Sequence, residues 1–270
     1  MRFSVRHETL YRYSASVRLG DHLLRLTPRP DDVATLTHAI EIEPAPAWRE
    51  EATDEFGTPV TRLRFEGEAA SLKIVSRFEA EARARVAPPD DRPDLPWSGI
   101  GMETYLGSGA DTEVQAFARE LAAASNWRAG AFLDRLNRTL FERIDRQIRA
   151  DGDARSAAET LRVGSGACRD FTVLFMEACR SLGIPARFVS GYQAFSERLD
   201  GRRHMHAWPE VFLPGHGWRG YDPTHGKPVA GTHIGLAAAP HQAATMPVEG
   251  GYWGDNITST LEYRLEIDAP

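Results

Sequence analysis

A chain of 270 residues, 42% hydrophobic and 26% charged, is long enough to bury one large core or two modest ones. Its formal net charge of −6 supplies no basic stripe for a phosphate backbone, which argues against nucleic acid as a partner. The opening MRFSVRHETLYRYSA alternates polar and apolar residues and lacks the apolar stretch of a signal peptide, and no later run reaches the ~18 apolar residues of a membrane span. The expectation is a cytoplasmic protein with no membrane partner; the oligomeric state has no signature in the sequence.

Residues 1–87 read as a β-rich N-terminal domain. RFSVRHETLYRY, THAIEIEP, TRLRFEG and LKIVSRFEAEARARV alternate in character or carry β-branched and aromatic residues, and DEFGTP supplies a turn. The stretch APPDDRPDLPW, residues 87–97, packs four prolines and four charged residues together, so neither a helix nor a central strand can run through it. A linker is expected over 88–97.

Beyond the linker the hydrophobic period lengthens to that of a helix. Val114, Phe117, Ala118 and Leu121 share one face, with Asp111 placed to cap it; Phe132, Leu133, Leu136, Leu140 and Ile144 form a second such face. Ser156 and Glu159 fit the capping box of a short third helix that Gly164 ends. A fourth helix is predicted from about Cys168, with Phe171, Leu174, Phe175, Ala178 and Leu182 inward and Gly183 and Pro185 as its stop. ARFVSGYQ, HMHAWPEVFL, GWRGYDP and, near the end, ITSTLEYRLEI follow as strands.

The chain has two cysteines, Cys168 and Cys179, on one predicted helix. A separation of eleven residues at ~1.5 Å rise places their Cα atoms roughly 16 Å apart, beyond the ~7 Å a disulfide spans. Both are therefore expected as free thiols. Cys179, mid-helix with no polar neighbour, reads as a small buried residue. Cys168 differs: at the first turn of a helix its sulfur meets unpaired backbone N–H groups and the positive end of the helix dipole, a setting that favours the thiolate. Gly166 and Ala167, in the small stretch GSGA before it, would let a substrate backbone approach, and the Cys168 amide could donate to an oxyanion.

A thiolate nucleophile needs a base, and the usual base is a histidine oriented by a third group. His206 opens one predicted strand and Asp222 closes the next, at the same end of a hairpin. The two side chains share a face if the hairpin loop has an odd number of residues, as with Pro214 opposite Trp218 around the loop GHG. The bland reading makes Asp222 the start of an Asp-Pro turn. Trp208, on the strand face of His206, either lines an acyl pocket or packs in the core. Arg169 and Asp170 read as helix-end charge and structural hydrogen bonding.

GACRDFTVLFMEACRSLGIPARFVSGY and HAWPEVFLPGHGWRGYDPTHG resemble the core of bacterial transglutaminase-like proteins, and YRYSASVRLGDHLLRLTPRP with DEFGTPV is similar to the β domain that precedes this core in one bacterial branch. The resemblance covers nearly the whole chain. It implies a papain-like fold with Cys168 as nucleophile, His206 as base and Asp222 as orienter. Pro209 departs from the family pattern and is expected at an edge or bulge of its sheet; Thr58 replaces a common asparagine; and THIGLAAAPHQAATMP matches only at its beginning, so no substrate contact is assigned there.

The whole reads as an α+β protein: a β-rich domain over 1–87, a linker over 88–97, a transglutaminase-like catalytic core over 98–235, and a C-terminal loop and strand over 236–270 whose last strand returns to a sheet. The expected activity is cofactor-free thiol acyl transfer on a protein or peptide amide, either hydrolytic (a cysteine peptidase or amidase) or a transglutaminase. Two competing readings are weighed. One is a non-catalytic peptide-binding module on the same fold, against which the intact Cys168, His206 and Asp222 argue. The other is a zinc site built from His204 and His206, at i and i+2 on one strand face, with Cys168 as a further ligand. His216, His225, His233 and His241 sit in apparent loops and are expected to be solvated.

Overall fold

The computed structural model describes residues 1–84, 95, 101–107, 109–149, 152–194 and 203–269; apart from Leu95, the predicted linker lies outside them. The N-terminal unit is built from β1 (Arg2–Leu19), β2 (His22–Leu24), β3 (Val33–Glu43), β4 (Trp48–Thr53), β5 (Pro59–Arg64) and β6 (Ala69–Ala82). β1, β6 and β3 lie side by side in one antiparallel sheet, while β2, β5 and β4 form a second. Asp54 makes the DEFGTP turn by accepting from the amides of Phe56 and Thr58, both at 2.9 Å, and Gly57 takes the positive φ of 79° that the turn requires.

Four helices follow: α1 (Thr112–Ala123), α2 (Ala129–Arg143), α3 (Ala157–Val163) and α4 (Cys168–Arg180). The predicted caps are present. Asp111 accepts from Glu113 N at 2.9 Å, Ser156 accepts from Glu159 N at 3.2 Å, and Gly164 closes α3 in the left-handed region at φ 67°. The predicted inward faces of α1, α2 and α4 are buried in one apolar cluster. Against them lies a fully antiparallel sheet of β7 (Ala186–Gln193), β8 (His206–Leu213), β9 (Gly217–Asp222) and β10 (His233–Ala239), ordered β9-β8-β7-β10, with a two-residue strand at Lys227–Pro228 beyond β9. The last strand, β11 (Ser259–Asp268), returns to pair with β1 from Ser4↔Asp268 to Tyr13↔Ser259.

This sheet is covered on both sides. Its helical face carries Ala186, Phe188, Val211 and Tyr221 into the cluster of the helices, while Tyr192, Ile234 and Leu236 enter the core of the N-terminal unit. Burial on both faces erases the alternation by which a strand is recognised. That is why β10 is absent from the sequence reading: all seven residues of HIGLAAA are buried, and three of them are alanines with low strand propensity. The predicted core boundary at residue 235 falls inside β10, so the core sheet runs on to Ala239.

Two further expectations are corrected. The β8–β9 hairpin turns around Pro214–His216, with Leu213 opposite Gly217 and Phe212 opposite Trp218, a register two residues from the expected one. The loop length is still odd, so His206 and Asp222 keep a common face. Pro209 sits in β8 between two neighbours, not at an edge or a bulge; the ladder with β9 stops at Glu210↔Gly220, immediately before it.

Buried charge also joins the two units. Glu210 of β8, 2% exposed, takes the Arg187 Nε at 2.7 Å and lies 3.4 Å from Arg29 Nη1 of the N-terminal unit. Arg29 also lies 3.5 Å from Asp32, whose carboxylate accepts from Gly235 N of β10 at 3.1 Å. Removing one member of such a group strands the others without compensation. Glu210→Ala, which leaves two buried guanidinium groups facing each other, is expected to cost about 3–5 kcal/mol in chemical denaturation. A change within experimental error would show that this cluster does not hold the two units together.

Candidate active site

One end of the core sheet gathers the titratable side chains. Gln193 is the last residue of β7, His206 the first of β8, Asp222 the last of β9 and His233 the first of β10. Because neighbouring strands run antiparallel, these termini coincide at one rim, with His206 opposite Gly191 and His233 opposite Gln193. Gly191 permits the packing beneath them: a Cβ there would stand 2.2 Å from Ile234 O and 2.8 Å from the Trp208 ring. Trp208, 1% exposed, stacks on His206 at a centroid distance of 6.1 Å and meets His233 edge-on at 4.9 Å.

Cys168 is brought to this rim by the start of α4. Asp170, fully buried, fastens that start by accepting from the amides of Ala167 and Arg155, both at 2.7 Å, and from Arg149 at 3.0 Å. Asp170 thus has the structural role that the sequence assigns to it. It also explains Gly166, since a Cβ at that position would lie 2.8 Å from the Asp170 Cβ. Cys168 is part-exposed, whereas Cys179 is buried.

His206 links the thiol to the carboxylate. Its Nε2–H donates to Asp222 Oδ2 at 2.9 Å, which leaves Nδ1 as the ring nitrogen available to Cys168, with which the imidazole interacts. The Ala207 amide adds a further influence that favours the charged sulfur. Asp222, fully buried, divides its two oxygens: Oδ1 accepts from Thr224 N at 3.0 Å, making the Asp-Pro turn, and Oδ2 receives the imidazole. The turn and the imidazole contact thus use different oxygens of one carboxylate.

Two histidines expected in solvent join the same oxygen. His225 Nδ1 donates to Asp222 Oδ2 at 2.8 Å and His233 Nε2 at 3.0 Å. The Arg146 guanidinium donates to His225 Nε2 at 3.2 Å, which fixes that ring as the Nδ1–H tautomer. In the sequence, the spacing of His225 three residues after Asp222, within the turn that Asp222 opens, is the signal for one of them; His233 carries none, because the uniformly buried HIGLAAA has no alternation to mark it as a strand.

The electrostatics follow from this geometry. Burial opposes the Cys168 thiolate, but the hydrogen bond and charge of His206, the Ala207 amide and the Arg169 charge outweigh it, and the thiol pKa falls below its ordinary value. Burial likewise opposes the His206 cation, yet the Asp222 charge and hydrogen bond, with the cysteine, raise its pKa to about 10. Asp222, despite its burial, is held well below the usual carboxylate range by His206, His225 and His233. Desolvation pushes His233 down, which suits a neutral donor, and pushes Cys179 well above an ordinary thiol. Both shifts run in the direction that favours a thiolate beside an imidazolium.

His204 precedes β8 and hydrogen-bonds Tyr263, so the i, i+2 strand argument for a zinc site with His206 does not apply to it. Among the described residues, the ligand atoms of His206, Asp222 and His225 do converge, within 4.8 Å of one another. Each imidazole there already directs an N–H at the carboxylate, and a cation at the centre would have to displace those hydrogen bonds.

The sulfur opens into a cavity of about 300 Å³ whose walls come from both units. Ala167 and Cys168 line it together with Gln193, and so do Thr9 and Tyr11 of β1 and Tyr263 of β11. Of the expected pocket residues, Ala167 borders this cavity; Gly166 and Trp208 do not, one being held under Asp170 and the other lying behind the histidines.

A family model of the transglutaminase-like superfamily matches residues 115–223, and one of the bacterial transglutaminase-like N-terminal region matches residues 3–81. The chain belongs to the transglutaminase-like superfamily. Its fold is similar to the crystal structure of a "Putative Cysteine Protease from Cytophaga hutchinsonii", with a TM-score of 0.76 at 18% identity over 99% of this chain and 90% of that one. An uncharacterised protein of Mycobacterium tuberculosis is 26% identical over 98% of this chain and 92% of its own length. A protein-glutamine gamma-glutamyltransferase of Pseudomonas aeruginosa is 32% identical over 106 residues, 37% of this chain and 15% of that protein.

Asp222 ties the site to acid stability. Its pKa is depressed, so the stability it contributes is present above the ordinary value of 3.8 and is lost as pH falls toward its folded value. His233→Phe removes one donor from Oδ2 and makes that depression smaller. The variant is expected to unfold in acid at a higher pH than the wild type, with about 1–3 kcal/mol lost at neutral pH. An unchanged acid transition would show that His233 does not support the carboxylate.

Proposed function

We propose that the protein is a thiol-dependent hydrolase of peptide or side-chain amides, acting through Cys168, His206 and Asp222 and a covalent acyl-enzyme. The observation that carries this reading is the position of His206, hydrogen-bonded through Nε2 to a buried aspartate and interacting with the cysteine. The Cys168 thiolate attacks the amide carbonyl carbon; the S–C bond forms as the carbonyl π electrons move to oxygen. The Cys168 amide, at the first position of α4 where no intrahelical acceptor is available, is placed to donate to that oxyanion. On collapse the C–N bond breaks, and the His206 imidazolium gives its Nδ1 proton to the departing amine. Neutral His206 then takes a proton from water as the water oxygen attacks the thioester; the C–S bond breaks and the thiolate and imidazolium are restored.

Water is the acceptor we assign. Arg146, Arg149 and Arg169 line the cavity beside the sulfur, and their charge opposes the approach of a lysine ammonium. A binding module without chemistry would have no use for a thiolate–imidazolium pair supported by a fully buried carboxylate.

Intact-mass analysis after exposure to peptide libraries is expected to show an acyl adduct on Cys168 that decays to free enzyme in water, and no lysine-linked product. Against any amide that the wild type turns over, His206→Ala and Asp222→Asn should each lose roughly 10²–10⁴-fold in turnover. Equal turnover by wild type and His206→Ala would overturn the assignment.

A further inference from the structure

Gln193 closes β7 at the rim that holds the site, opposite His233, and lines the cavity beside Cys168. The two ends of its side-chain amide have different surroundings. Nε2 faces the His225 ring, 3.1 Å from Nδ1 and 3.4 Å from Nε2, and so lies against a group that also donates to Asp222. Oε1 is buried and has no hydrogen-bond partner among the described residues, in a side chain whose residue is only 4% exposed. The amide is therefore anchored at its nitrogen and unmatched at its oxygen.

A buried acceptor without a donor costs stability, and such a group in a folded protein calls for a partner that completes it. The triad does not use this oxygen: Asp222 draws its donors from His206, His225, His233 and the Thr224 amide. What a thiol of this kind admits to its cavity is an amide, and a peptide brings backbone N–H groups within a residue or two of the reacting carbon. A carbonyl oxygen can only accept, so a substrate N–H matches Oε1 whereas a substrate oxygen would repel it. Met205, Met246, Val248 and Leu261 give the same cavity apolar lining, which strengthens a hydrogen bond made inside it.

Resting on the thiol chemistry proposed above, we propose that Gln193 is a substrate-binding residue, whose Oε1 accepts a backbone N–H from one of the two residues on the acyl side of the attacked bond. The contact with His225 holds the amide in place before the peptide arrives, so the bond forms without ordering a loose side chain. A site built to accept an N–H rejects the analogue that lacks it, because the buried acceptor is then left unpaired. The substrate is thus a peptide that continues on the acyl side, and an ester oxygen at the matched position is selected against.

The test uses acetyl-glycyl-glycyl chloromethyl ketone on the whole protein, with two analogues in which one or the other of its N–H groups is replaced by an ester oxygen. The Cys168 thiolate displaces chloride, and the S–C bond formed is read by intact mass. Each rate is divided by that of N-acetylcysteinamide with the same reagent, which removes the difference in intrinsic reactivity, and the thiolate fraction cancels in the ratio of analogue to parent. One of the two analogues is expected to react with the wild type at least about fivefold more slowly than the parent. Gln193→Met, of similar size but without the acceptor, should abolish that difference, and Gln193→Glu, which keeps an acceptor, should retain it.

A purely structural role for Gln193, through His225 and the carboxylate, would slow all three reagents alike in the Met variant and leave their ratios where they were. Should Gln193→Met fail to fold, Gln193→Asn, which draws the oxygen back by one methylene, carries the same comparison. Equal corrected rates for the parent and both analogues in the wild type overturn the proposal, as does a difference that survives unchanged in the variant without the acceptor. Brisk reaction of iodoacetamide at Cys168, with none of the peptide reagents reacting, overturns it while leaving the nucleophile standing. Failure of iodoacetamide as well contradicts the thiol chemistry itself and removes this inference with it.

Discussion

The arrangement at the site depends on one buried carboxylate oxygen. Asp222 Oδ2 accepts N–H groups from three imidazoles at 2.8–3.0 Å, drawn from the start of β8, the turn after β9 and the start of β10. A fully buried carboxylate would ordinarily take up a proton, and it is these donors that keep it charged. Its charge in turn raises the pKa of His206 to about 10, and the hydrogen bonding and charge of His206 lower that of Cys168. The chain of causes runs from the strand termini to the thiol.

The N-terminal unit is part of this site rather than an appendage. It covers the second face of the core sheet, joins it through Arg29 and Glu210, and supplies Thr9 and Tyr11 to the cavity that Cys168 lines. The return of β11 to β1 brings Tyr263 there, so the last strand has a part in shaping the cavity as well as in closing a sheet. Both units bound the cavity that Cys168 lines.

Much of this was legible in the sequence. Helix periods and caps placed α1 to α4, because Asp111, Ser156 and Gly164 act locally. The start of α4 at Cys168, and an odd-length loop aligning His206 with Asp222, followed from the same local rules. What escaped was set by burial and register. β10 shows no alternation because both of its faces are covered, and with it went the position of His233. The hairpin register differed by two residues, since parity constrains the face a side chain takes but not how far along the strand it lies. Gly166 was read as room for substrate, when its small size is required by Asp170, a contact that only the folded helix start creates.

The most direct test is an ultraviolet titration of the Cys168 thiolate, with Cys168→Ser as the blank so that the buried Cys179 cancels, carried out on the wild type and on Asp222→Asn. The account predicts a thiolate signal that persists in the wild type well below the ordinary thiol range of ~8.5, and that retreats to higher pH when Asp222 is neutralised. A wild-type signal appearing only in the ordinary thiol range, and unmoved by Asp222→Asn, would contradict it.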